Sequence, residues 1–330
     1  MSYLLKPLQA GSLTLSNRLV MPPMATAKAD PDGKVNPSVL NYYAEKSEGG
    51  YLSLIIIEHS FIHLDGKASD LQLSAADDSV VEGLKKLAEV IQSNGSKAMM
   101  QINHAGSNTT SEITGTTPVA PSAVSHPRRG GMPKELTREE IANIIKSFQS
   151  AARRTKEAGF DGVEIHSAHG YLLNQFFSPL TNKRTDEYGG NVHNRIRLHL
   201  QVIEGIRATV GDDFPILLRL GASDYREGGI TIDDSQVAAQ EFEKAGVNIL
   251  DISGGFSGYM VPELSGQGYF APLSEAIKKV VSIPVILTGG ITDVQAAERL
   301  LAEEKADLIG VGRAVLNNSK WAEQALNSLR

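Results

Sequence analysis

"LTREEIANIIKSFQSAARRTKEAGFDGVEIHS", residues 136–167, holds one complete helix-to-strand unit. Thr137 and Glu140 have the spacing of a capping box, in which each side chain accepts from the other residue's backbone N–H. Ile141, Ile144, Ile145, Phe148 and Ala152 then share one face of a 3.6-residue period. Gly159 stands where a left-handed C-terminal cap belongs, and "GVEIHS" follows as a short apolar run. The order recurs in "DDSQVAAQEFEKAGVNILDIS" (233–253) and in "TDVQAAERLLAEEKADLIGVG" (292–312), where the glycine is missing.

Working outward, β-branched or leucine-rich runs occur at 18–24, 52–58, 97–102, 162–166, 215–221, 249–253, 284–288 and 308–311, with helical patterns between them. Eight strand–helix units without a break in rhythm predict a (β/α)8 TIM barrel that takes in the whole chain as a single domain. A doubly wound sheet needs a glycine-rich turn after an early strand, and none follows the first three. "LLKPLQAGSLTLSN" (4–17) reads as an N-terminal hairpin plugging one end. Loops 103–136 and 254–272 are long enough to cover the C-terminal mouth.

Bulk properties narrow the function. Apolar residues make up 41% and charged residues 21% of the 330, and 32 basic against 38 acidic residues give −6. Both signs are interspersed, so no basic stripe for nucleic acid is expected. The absence of cysteine excludes disulfides, thiolate metal sites, cysteine-held clusters and cysteine nucleophiles. The N-terminus lacks a secretory pattern, and "YLSLIII" (51–57) is far shorter than a membrane span. A soluble cytoplasmic protein is expected.

Barrels carry their chemistry at the C-terminal ends of strands. Those ends read "MPPMAT", "IIIEHS", "MMQINH", "VEIHSAH", a run bearing Arg219, "DISGG", "LTGG" and "GVGR". Side-chain alternation puts Met99 with Gln101, Glu164 with His166, and Leu217 with Arg219 on shared faces. An inward guanidinium needs an anion, so Arg219 either meets a ligand or pairs with Glu164 or Glu58. Glycines at the ends of the last two strands let backbone N–H groups approach a phosphate, with Arg313 adding charge. His166, His169 and Tyr171 leave three readings open. They could hold a metal with Glu164 or His199, or pack as ordinary core. The third reading is redox: two imidazole N–H groups polarise a carbonyl oxygen and a phenol protonates the resulting carbanion. No side chain supplies hydride, so that reading requires a cofactor.

The segments "NRLVMPPM", "QINHAG", "APSAV", "ELTREEI", "GFDGVEIHSAHGYLLNQFFSPLTNKRTDEYGG" and "GVGRAVL" resemble the old yellow enzyme family of FMN-dependent ene-reductases, from about residue 4 to 325. The resemblance implies tightly bound FMN, NADH or NADPH as hydride donor, a small activated alkene as substrate, and a homo-oligomer. Carried over by motif, Pro22, Pro23, Met24 and Ala25 run along the flavin, and Gln101 meets its pyrimidine edge. Arg219 lies near N1 and O2, while Gly289, Gly290, Gly312 and Arg313 cradle the phosphate. His166 and His169 bind the substrate oxygen, and Tyr171 donates the proton.

Three departures stand out. Ala25 occupies a position where Thr or Cys is usual, with Thr26 beside it to compensate. His59 replaces a small residue next to the flavin. The cysteine-held cluster and extra domains of relatives that reduce dienoyl-CoA are not in this sequence, so electrons should pass from the nicotinamide directly to FMN. The rivals are a non-flavin, phosphate-binding barrel lyase or isomerase with Tyr171 as acid, and a metal-dependent hydrolase built on His166 and His169.

Overall fold

A computed structural model describes residues 2–330. Eight strands form a closed, parallel barrel: β1 (Leu19–Met21), β2 (Leu54–Phe61), β3 (Lys97–Asn103), β4 (Gly162–Ser167), β5 (Ile216–Gly221), β6 (Ile249–Ser253), β7 (Val285–Thr288) and β8 (Leu308–Gly310). Helices alternate with them: α1 (Pro37–Ser47), α2 (Val81–Ser93), α3 (Arg138–Glu157), α4 (Arg197–Val210), α5 (Ile232–Lys244), α6 (Ala271–Lys278), α7 (Val294–Ala302) and α8 (Trp321–Asn327). The expected (β/α)8 architecture is therefore present. Strand limits shift where chemistry demands it. β1 stops at Met21 because Pro22 and Pro23 have no N–H for a ladder.

The unit that decided the fold is built as its sequence implies. Thr137 and Glu140 form the reciprocal cap of α3, and Ile141, Ile144, Phe148 and Ala152 are buried while Ile145 is half-buried. Gly159 takes φ +82°. In the third unit Glu304 adopts φ 56°, its N–H bonding to Leu301 O at 3.1 Å and that of Lys305 to Leu300 O at 2.9 Å. A Cβ in this left-handed conformation is strained, so Glu304→Gly should raise the unfolding free energy by up to about 1 kcal/mol. Urea denaturation checks it, and a lower midpoint would mean that the Glu304 side chain does more than occupy a cap.

Two hydrophobic layers follow from strand alternation. Ile55, Ile57, Met100 and Ile102 face the helices, whereas Leu54, Ile56, Met99 and Leu217 fill the barrel interior. Leu8, Ala10, Leu13 and Leu15 of the N-terminal hairpin join that interior cluster and close the lower end. The upper half of the interior is polar instead, with Arg219 and Asp251 one pleat above Leu217 and Ile249 and Glu164 in register with Leu217. Among the described residues no helix is long and apolar enough to cross a membrane.

Candidate active site

Strand ends and covering loops enclose a cavity of about 470 Å³ at the C-terminal mouth. It is lined by Pro22, Pro23, Met24, Ala25, His59, Gln101, His166, His169, Tyr171, Arg219, Gly289, Gly290, Gly312 and Arg313, so every site residue named from sequence is brought together there. Ser253, Tyr259, Met260, Tyr269 and Phe270 also line it and were not named as site residues. Ser253 could have been found by alternation, because it points inward two positions after Asp251.

At one end His166 is the hub. Its ring centroid lies 5.0 Å from those of both His169 and Tyr171. Burial, reinforced by neighbouring histidines and Arg219, holds both imidazoles well below the ordinary histidine range, so each is neutral and carries a single N–H. His166 Nδ1 is buried without a partner, and His169 Nε2 is engaged by Ser253 Oγ at 2.8 Å. Burial pushes the Tyr171 phenol up, against a weaker pull from Arg128.

A tight turn presents these groups. Tyr171 N–H closes it onto Ala168 O at 3.2 Å, with His169 and Gly170 at φ 59° and 75°. Two positive φ values in succession make a type I′ geometry, which glycine adopts freely and histidine tolerates at a cost of about 1–2 kcal/mol. The surroundings over-determine it. Arg128 and Asn108 both donate to His169 O, Gln175 Nε2 donates to Gly170 O at 2.8 Å, and His126 Nε2 lies 3.1 Å from the same oxygen. Asn108, His126 and Arg128 all come from the long 103–136 loop, which is thus a clamp on the histidine turn. Nothing in their spacing points to this role.

Below lies a buried charge cluster. Arg219 Nε is 3.2 Å from Asp251 Oδ2, close enough for an ion pair yet not aligned as a hydrogen bond. Asp251, not Glu164 or Glu58, is therefore its carboxylate partner. Glu58 is committed elsewhere, accepting from Thr26 N–H at 2.9 Å and Thr26 Oγ1 at 2.5 Å. The same contact turns the Thr26 hydroxyl away from any compensation for Ala25. Gln101 Nε2 donates to Glu164 Oε1 at 2.7 Å. Burial, then the nearby Asp251 charge, raises Glu164 well above the carboxylate range and leaves it protonated. Asp251 is pushed up to about 6 by burial, against the opposing pull of Arg219.

At the opposite end the chain opens a cradle. A Cβ on Gly290 would stand 2.5 Å from Gly266 O, and one on Gly312 3.3 Å from Met24 Sδ, so side chains there would fill the floor. Among the described residues, no backbone acceptor meets the N–H groups of Gly289, Gly290, Gly312 or Arg313. Four free amides and a guanidinium fit a phosphate, and the half-apolar wall between cradle and histidines fits a flat ring. No three His, Asp or Glu side chains among the described residues are grouped to hold a metal ion, so the ligand set that a hydrolase built on His166 and His169 needs is not assembled.

Residues 3–330 match the model of the NADH:flavin oxidoreductase / NADH oxidase family. The chain belongs to this family, that of old yellow enzyme. It is 44% identical over 321 residues to an NADH oxidase of Thermoanaerobacter brockii, covering 96% of this chain and 49% of that protein. It is 40% identical over 309 residues to an NADPH dehydrogenase of Clostridium acetobutylicum, covering 93% and 89%. The solved old yellow enzyme homologue of Zymomonas mobilis superposes with a TM-score of 0.86 at 28% identity, covering 99% and 93%. The chain thus spans about half the length of the first relative (49%) and most of the second (89%). The family uses FMN together with a nicotinamide hydride donor.

Proposed function

We propose that the chain works as one FMN-binding barrel that reduces activated C=C bonds, those conjugated to a carbonyl or nitro group, with electrons from NADH or NADPH. One observation carries the reading: the His166 ring, its centroid 5.0 Å from that of Tyr171, shares a single cavity with the glycine cradle and Arg313. Bound FMN supplies the hydride chemistry that no side chain can.

The residues then divide the work. Gly289, Gly290, Gly312 and Arg313 hold the phosphate, and Pro22 to Ala25 form a rigid wall against the ring. Gln101 and Arg219 would hold the polar side of the ring, Arg219 supplying positive charge. His166 and His169 direct N–H groups at the substrate oxygen, withdrawing electrons from the conjugated alkene so that its β-carbon becomes the hydride acceptor. Tyr171 delivers its phenolic proton to the α-carbon. Ser253 is a positioning residue, since its hydroxyl orients His169 through the 2.8 Å contact.

Purified protein should be yellow, bleach anaerobically with NADH or NADPH, and recover its colour on addition of 2-cyclohexenone. Protein that stays colourless after reconstitution with FMN would refute the flavin reading. Bleached protein that no enone, enal or nitroalkene reoxidises would refute the alkene half.

A further inference from the structure

We propose that His59 is a third fixed N–H donor of the reaction cavity, locked in its Nε2–H form by Gln72, and that it stabilises negative charge on the molecules bound there. This deepens the flavin reading above and rests on it. The lock begins at the backbone. Ala68 N–H donates to Gln72 Oε1 at 2.7 Å, which fixes which end of that amide is oxygen. Gln72 Nε2 consequently faces His59, donating to its carbonyl at 3.1 Å and lying 2.8 Å from its Nδ1.

A ring nitrogen that receives an amide N–H carries no proton of its own. Nδ1 is therefore the acceptor, and the proton of the neutral ring sits on Nε2. The same contact excludes imidazolium, in which both nitrogens donate. Burial and the Arg219 charge act in the same direction, bringing His59 down to about 4. Asn103 Nδ2, 3.5 Å from Nδ1, adds a second, weaker approach on that side.

A β-bulge aims the ring inward. β2 pairs Ile57 with Met100 and then Ser60 with Ile102, so Glu58 and His59 together oppose the single residue Gln101. The His59 side chain thereby reaches the cavity, whereas strict alternation would send it to the helix side. The His59 ring accordingly lies 5.3 Å from Tyr171 and 6.1 Å from His166. With Nδ1 committed to Gln72, Nε2–H is the group left for the cavity. A neutral fixed donor stabilises a developing anion without titrating at physiological pH. Two molecules gain such charge in this site: the flavin when it is reduced, and the substrate oxygen when hydride is added. The required chemistry, an anionic acceptor, is common to both.

The first test is the tautomer itself, by 15N–1H correlation spectroscopy of the purified protein labelled in histidine. His59 Nδ1 should read as an unprotonated ring nitrogen from pH 8 down to about pH 5, given an ordinary histidine value near 6.5. A protonated Nδ1 at pH 7 would overturn the proposal. The second test uses FMN-loaded protein and His59→Phe, which keeps a ring but no donor, beside His59→Gln, which restores an N–H. If the donor serves substrate oxygen, His59→Phe weakens 4-nitrophenolate binding about tenfold with the flavin midpoint potential unchanged. If it serves the flavin, the midpoint falls and phenolate affinity holds. His59→Gln should recover most of whichever loss is seen, and no change in either quantity for His59→Phe sinks the idea. Should His59→Phe not fold, Gln72→Met frees the ring to take the other tautomer, and a smaller loss in the same quantity is expected. Wild-type protein that takes up no FMN would refute the flavin reading alone, because the tautomer test stands without it.

Discussion

Tyr171→Phe is expected to slow reoxidation of the reduced protein by 2-cyclohexenone by about 10²–10⁴-fold, the usual range for a lost general acid, while reduction by NADPH changes little. Tyr171 contacts His166 and His59 at centroid distances of 5.0 and 5.3 Å, contacts that a phenylalanine ring retains. Its backbone ends the I′ turn and opens the short helix Leu172–Phe177, roles indifferent to the para substituent. Burial raises the phenol above its ordinary value, so it keeps its proton until a strongly basic carbanion forms beside it. Hydride transfer from a nicotinamide requires no such proton. Anaerobic stopped-flow measurement of each half-reaction separates the two, and equal losses in both would remove Tyr171 from the proton-donor role.

Most of the barrel was legible because its rules are local. Capping at Thr137 and Glu140, the left-handed Gly159, and period-2 alternation through Met99 and Gln101 each need only a few neighbouring residues. The same locality grouped Gln101, His166, His169, Tyr171, Arg219, Arg313 and the last strand-end glycines, since strand ends in a parallel barrel must meet at one mouth, whereas Pro22, Pro23, Met24, Ala25 and His59 came from the family resemblance. What escaped depends on exceptions or on distant partners. The extra residue in β2 breaks alternation without any glycine to announce it, so the inward turn of His59 was hidden. Asp251 read as part of a strand ending in glycines, yet its pairing with Arg219 follows only from register between β5 and β6. Asn108, His126 and Arg128 belong to a loop whose path no periodicity encodes. Glu304 shows the converse case, a left-handed cap formed without the residue that signals it.

Arg219→Met should destabilise the fold by about 3–5 kcal/mol, the scale of removing one partner from a buried pair. Its side chain is 4% exposed and that of Asp251 is 0%, so water cannot take over the neutralisation. Burial already lifts Asp251 to about 6 against the attraction of Arg219, and without the guanidinium the carboxyl rises further. The sign of the pH dependence follows. A carboxyl whose folded value lies above its unfolded value, near 3.8, contributes stability that is complete below about pH 4 and is lost as pH climbs through the folded value. In wild type that loss ends a little above pH 6. In Arg219→Met it continues upward, so the stability difference between the two proteins should widen from pH 5 to pH 8. Arg219→Met combined with Asp251→Asn should recover much of the deficit at pH 8, because a buried amide carries no charge to strand. Urea midpoints of the three proteins at both pH values test the chain of reasoning. A deficit that is equal at pH 5 and pH 8 and untouched by Asp251→Asn would mean that Arg219 is held by its packing, not by its charge.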